Sequence, residues 1–155
     1  MTSSAIFSED RKYRYQLRRS WNSELANLLF IGLNPSTADE HHDDPTLRRL
    51  IGFAKGWGYG SLTLCNLYAY CTPSPKKLFE IKDPIGLKND QWIIKSSTLA
   101  EQVVLVYGNH GKTGFRDKEV LKLVSKPYCV AISKLSMPKH PLYLKYTKAP
   151  IPYLT

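Results

Sequence analysis

Four short stretches of this 155-residue chain carry the polar side chains best suited to chemistry, and each closes an apolar run. Gly32-Leu33-Asn34-Pro35-Ser36-Thr37 follows Leu28, Leu29, Phe30 and Ile31. Cys65-Asn66-Leu67-Tyr68 ends Ser61–Leu67. Gly108, Asn109 and His110 follow Val103–Tyr107, and Lys134, Lys139 and His140-Pro141 follow Tyr128–Ile132. A carboxamide carries donor and acceptor on one side chain, so Asn66 can pair with an adjacent carbonyl and N–H of a planar ligand. Backbone N–H groups around Pro35 and Ser36 can hold a carbonyl or phosphate oxygen, and Tyr68 or Tyr70 can stack on a ring. Each residue also has a plainer reading. Asn34 suits a turn of unusual backbone, Asn66 can cap a strand end, His140 can be a structural donor, and the tyrosines can be packing.

Other arrangements are weaker. No Ser/His/Asp or Cys/His set stands out. Gly108-Asn109-His110-Gly111-Lys112 lacks the spacing of a phosphate-binding P-loop. His41-His42-Asp43-Asp44 contains ligand types for zinc or manganese. Adjacent residues seldom converge on one ion, however, so no metal and no cofactor is assigned.

The elements that must position these residues follow from periodicity. Tyr13–Arg19 alternates Tyr13, Tyr15 and Leu17 against Arg14, Gln16 and Arg18, the pattern of a half-buried strand. Asn27–Leu33, Ser61–Leu67 and Val103–Tyr107 are apolar runs of the kind buried on both faces, and Tyr128–Ile132 is a fourth, short strand. Asp43 or Asp44 with Pro45 predicts a helix start, and Leu47, Leu50, Ile51 and Ala54 form its apolar stripe. Asp83-Pro84 predicts a second helix running to about Ala100, and Thr113 a third carrying Phe115, Val120, Leu121, Leu123 and Val124. Strands alternating with helices predict a single α/β domain over residues 1–155. Its sheet is a mainly parallel four-stranded one with an N-terminal antiparallel strand, covered on both faces. Ligands of such sheets bind at the carboxyl ends of the strands, where the four polar stretches fall.

Lys and Arg number 22 against 13 Asp and Glu, a net charge of +9. Lys112–Lys148 holds nine basic and two acidic residues, and Arg11, Lys12, Arg14, Arg18 and Arg19 form a second basic cluster. Such stripes attract polyanions, nucleic acid above all, or are a solvated face. The acidic run Asp39–Asp44 opposes them. Three cysteines without CxxC spacing argue against a disulfide framework. The absence of a long apolar run argues against a membrane span, so a cytoplasmic protein is expected.

Gly32–Asp39, Asp44-Pro45-Thr46-Leu47-Arg48-Arg49, Asn66-Leu67-Tyr68-Ala69, Asp83-Pro84, Tyr107–Gly111 and His140–Leu144 together resemble a bacterial and phage domain family of unknown function with a GLNPSTAD-type signature. More distantly, the order of motifs resembles the uracil-DNA glycosylase superfamily. Gly32-Leu33-Asn34-Pro35 is similar to its G-x-N-P-G turn, with Ser36 in place of the last glycine. Leu64–Leu67 is similar to its Asn-bearing strand end, and His140-Pro141 to its H-P-S loop, with Leu142 in place of serine. That resemblance implies a three-layer α/β/α fold and hydrolysis of the N-glycosidic bond of a damaged or modified base in DNA. Asn34 would then position water, Asn66 read the base, and His140 stabilise the leaving base. Gly32, Pro35, Ser36, Tyr68 and Gly108 would complete the base pocket. Lys134, Lys139, Leu142 and Leu144 would grip nucleic acid, the leucines as a wedge. The alternative is a protein that binds a free nucleobase or nucleotide in the same pocket without cleaving it.

Overall fold

The computed structural model describes residues 1–146 and 148–154. The chain forms β1 (Thr2–Phe7), β2 (Arg14–Ser20), β3 (Asn27–Gly32), α1 (Pro45–Gly56), β4 (Ser61–Asn66), α2 (Pro75–Leu78), α3 (Asn89–Leu99), β5 (Gln102–Leu105), α4 (Arg116–Leu121), β6 (Pro127–Cys129) and β7 (Ile151–Pro152). Two 3-10 segments, Asn109–Phe115 and Pro141–Tyr143, lie between them. The strands make one mixed sheet in the order β1-β2-β4-β3-β5-β6-β7. The pairs β4–β3, β3–β5 and β5–β6 are parallel, whereas β1–β2, β2–β4 and β6–β7 are antiparallel. The domain is therefore mixed α/β with a seven-stranded sheet, broader than four parallel strands plus one.

Alternation along the inner strands divides the apolar side chains between two faces. Leu28 and Phe30 of β3, Leu62 and Leu64 of β4 and Val104 of β5 pack with Leu47, Leu50, Phe53 and Ala54 of α1. Leu29, Ile31, Cys65, Val103 and Leu105 pack on the other side with Ile93 of α3 and Val120 of α4. Asp44 caps α1, accepting from the Leu47 N–H at 2.8 Å, with Pro45 in its first turn. The buried stripe is Leu47, Leu50, Phe53 and Ala54, and Ile51 is only half-buried.

Two helix starts differ from the sequence expectation. Asp83 accepts from the Gly86 N–H at 3.2 Å in a tight turn where Gly86 has φ +93°. The Pro84 and Ile85 carbonyls then pair with the N–H groups of Tyr70 and Ala69, so α3 begins only at Asn89. Thr113 caps nothing. Gly114 and Phe115 both adopt φ near +60°, breaking the chain there, and α4 starts at Arg116.

Candidate functional site

Parallel register brings the carboxyl ends of the central strands level, with Gly32 opposite Asn66 and Ile31 opposite Leu105. A cavity of about 500 Å³ opens there. Gly32, Asn34, Ser36, Asn66, Gly108 and His140 line it, together with Arg14, Asp44 and Tyr107.

Asn34 is held by its own amide. Nδ2 donates to the carbonyls of Thr72 (2.8 Å) and Pro35 (2.9 Å), with a longer contact to that of Tyr70 (3.4 Å). Three carbonyls can face only a donor, so the orientation of the amide is chemically determined. Oδ1 remains as its acceptor, with no donor on it among the described residues. Asn66 is buried, and its Oδ1 accepts from Arg14 Nη2 at 3.4 Å. Arginine cannot accept, so Nδ2 is the half of the amide left for a ligand. Gly32 makes room for it, since a Cβ there would lie 2.9 Å from Asn66 Nδ2. Behind Asn66, Asn89 Nδ2 donates to the carbonyls of Asn66 (2.9 Å) and Leu67 (3.0 Å), fixing the strand end.

His140 lies exposed at the cavity mouth, where it precedes the 3-10 turn Pro141–Tyr143. Its Nδ1 accepts from the Leu142 N–H at 3.3 Å, so the neutral ring carries its proton on Nε2. Desolvation draws its pKa below the ordinary histidine value, against a smaller opposing pull from Asp44. Gly108, at φ +73°, leaves space beside His140 and donates its N–H to the Pro138 carbonyl at 2.9 Å. Arg49 seats the loop that follows. It donates to the carbonyls of Pro141 and Leu144, and its guanidinium lies 4.0 Å from the Tyr146 ring centroid.

Several expected site residues lie elsewhere. Tyr68 is buried against Phe79, and its hydroxyl donates to the Thr113 carbonyl at 3.0 Å. Its ring belongs to the core and is not a stacking floor. Pro35 does not line the cavity, although its carbonyl takes the N–H groups of Asn34 Nδ2 and Thr72. Lys134 and Lys139 are exposed but off the cavity wall. Leu144 packs against the α1 core and Leu142 is half-buried, so neither projects as a wedge. Arg116, counted in the basic stripe, is buried against Asp90 and Glu119.

The acidic run is tied down beside the cavity. Asp39 accepts from the His41 and His42 N–H groups at 2.8 Å and from the His42 ring at 3.0 Å. These bonds, that of His41 first, lower its pKa to about 2. Buried Arg19 donates to Asp43 and to the carbonyls of Asp39 and His42. With Asp44 capping α1, the His41–Asp44 side chains do not converge on an ion. Among the described residues no group of three or more His, Cys, Asp or Glu could hold a metal, and no helix is long and apolar enough to cross a membrane.

Among the lining residues that sequence reasoning does not assign to the site are Arg14 and Tyr107. Alternation within β2 puts Arg14 on the polar side. Tyr107 reads as core, yet its buried hydroxyl has no partner among the described residues, and desolvation pushes its pKa far above the ordinary phenol value.

Residues 14–142, which contain every residue of this cavity, match a domain family described as a protein of unknown function, DUF1643. The chain belongs to that family. No curated protein and no solved structure matches it.

Proposed function

We propose that this DUF1643 domain hydrolyses the N-glycosidic bond of a damaged or modified base in DNA, with the base held in the cavity at the strand ends. The observation that carries the reading is the fixed orientation of Asn34. Its amide N–H groups are taken by backbone carbonyls, so its free oxygen is the part of the side chain that can orient a water. Asn66 Nδ2 and the Nε2–H of neutral His140 supply donors to the base from the same cavity. Breaking the C1′–N bond leaves its electron pair on the base. Water adds to C1′ and releases a proton, which the base takes up. The four mutually parallel central strands with helices on both faces favour the three-layer arrangement of the uracil-DNA glycosylase superfamily.

A second reading is binding of a free nucleobase or nucleotide without cleavage. It is favoured by the packing of Leu144 against the α1 core, which leaves that leucine no reach into a DNA stack.

The test is strand scission. Single- and double-stranded oligonucleotides bearing uracil, thymine mismatches, hypoxanthine or oxidised pyrimidines are incubated with the protein and treated with alkali. Cleavage is expected, with His140→Ala lowering the rate about 10²–10³-fold, the usual effect of losing a preorganised donor. No cleavage of any substrate, together with binding of free bases, overturns the hydrolytic reading in favour of the second.

A further inference from the structure

Three arginines in this protein are buried, and they differ in one respect. Arg19 meets Asp43 at 3.0 Å, and Arg116 meets Asp90 at 2.5 Å and Glu119 at 3.1 Å. Arg14, 2% exposed, has no carboxylate within ion-pair distance among the described residues. Its Nη1 donates to the Ala38 carbonyl at 2.9 Å and its Nη2 to Asn66 Oδ1 at 3.4 Å, both neutral, while Nε is buried without an acceptor among the described residues. Desolvation brings its pKa down to about 10, which leaves it charged at neutral pH. Asp44, on the same cavity wall, favours the charged form by less than burial opposes it, and a buried cation so incompletely compensated is unfavourable unless something else supplies the negative charge. This one lies on the cavity wall beside Asn66.

Its position is built into the sheet. Opposite β1, Ile6 pairs with Gln16 but Phe7 pairs with Arg14, so Tyr15 is an extra residue in the ladder. Such a bulge reverses which side the following side chains meet. Gln16 accordingly reaches Ser96 of α3 at 2.8 Å, whereas Arg14 joins Leu50 and Leu64 around the cavity.

We propose that Arg14 stabilises the negative charge that the base acquires as the glycosidic bond breaks, and so makes the cavity selective for an anionic base over a neutral one of the same shape. The inference rests on the base-cleaving reading above and adds a group to it. Heterolysis places the bonding pair on the base and spreads it over the ring carbonyls. Arg14 and Asn66 Nδ2 then present adjacent donors to that edge, and both interactions strengthen as charge develops. Asp44 lies on the same wall and opposes any anion there, a phosphate dianion more strongly than a base whose single charge is spread over its ring.

Calorimetric titration at neutral pH tests this with two pyrimidine bases of similar shape, neutral uracil and anionic barbiturate, on wild type, Arg14→Gln and Arg14→Lys. Wild type is expected to bind barbiturate about tenfold more tightly than uracil, the difference between a charge-assisted and an ordinary hydrogen bond. Arg14→Gln brings the ratio close to one, and Arg14→Lys keeps part of it. Equal affinities in wild type, or a preference that survives in Arg14→Gln, overturns the role of Arg14 while leaving the base cavity standing. Failure of wild type to bind either base overturns the base cavity and Arg14 together. Displacement of barbiturate by inorganic phosphate assigns the charge to a phosphate and overturns the proposal. Should Arg14→Gln not fold, the wild-type ratio and Arg14→Lys decide.

Discussion

Replacing Asn34 by Asp removes a single N–H₂ group, and the structure makes that change severe. Two firm hydrogen bonds, to Thr72 (2.8 Å) and Pro35 (2.9 Å), lose their donor, as does the longer contact to Tyr70. At about 1 kcal/mol net for each firm bond, Asn34→Ala costs about 2 kcal/mol. For a chain of this length that lowers the unfolding temperature by about 4–8 °C. Asn34→Asp is worse, because the carboxylate stays in place and points an oxygen at the same carbonyls. A loss of about 3 kcal/mol follows once a half-buried, unsatisfied charge is added to the missing bonds. Water activation taken alone ranks the two variants only in rate, with Asp above Ala, and leaves their stability equal, since a carboxylate polarises water more strongly than a methyl group can. Thermal unfolding at neutral pH, followed by circular dichroism, separates the two effects, with Asp expected to melt below Ala and both below wild type. An Asn34→Asp protein melting at the wild-type temperature would refute the clamp and the argument that Oδ1 is the free end of the amide.

Gly32→Ala places a methyl 2.9 Å from Asn66 Nδ2 and should displace the amide. Base affinity falls at least tenfold by titration, with a stability loss of about 1–3 kcal/mol as for other overpacked sites. Arg49→Ala frees the loop after His140 and should cost about 1–2 kcal/mol, the sum of its carbonyl bonds and the Tyr146 contact. Amide hydrogen exchange should accelerate over residues 140–144. The lowered pKa of His140 means that the unfolded chain binds the proton more readily than the folded one. Stability should therefore rise with pH from the folded-state value up to about 6.5 and level off above it. That increment should vanish in His140→Gln, and a wild-type profile flat across the window would contradict the neutral-histidine assignment.

What could be read from the chain alone was what local pattern decides. Leu28–Ile31 and Val103–Leu105 are too continuously apolar to be anything but strands covered on both sides, and β3 and β5 are such strands. Asp44-Pro45 starts a helix because a carboxylate and a proline satisfy or remove the unpaired N–H groups of its first turn. The polar stretches at the ends of those runs therefore pointed to Asn34, Asn66 and His140, which the fold brings to one cavity. Elsewhere local pattern misled. Asp83-Pro84 has the residues of a helix start, but the pairing of residues 84–85 with 69–70 makes it a turn. Tyr68 has the same side chain whether it stacks on a ligand or packs in a core, and only its bond to Thr113 shows which.

Arg14 depends on tertiary structure most of all. Strict alternation in β2 turns it away from Leu17, toward the side that Gln16 meets. The register slip at Tyr15 exists only because β1 pairs with β2, and that pairing turns Arg14 into the cavity. Side-chain direction in a strand has a period of two, so one inserted residue reverses it. Such an insertion is a property of two strands together and leaves no mark in either sequence alone.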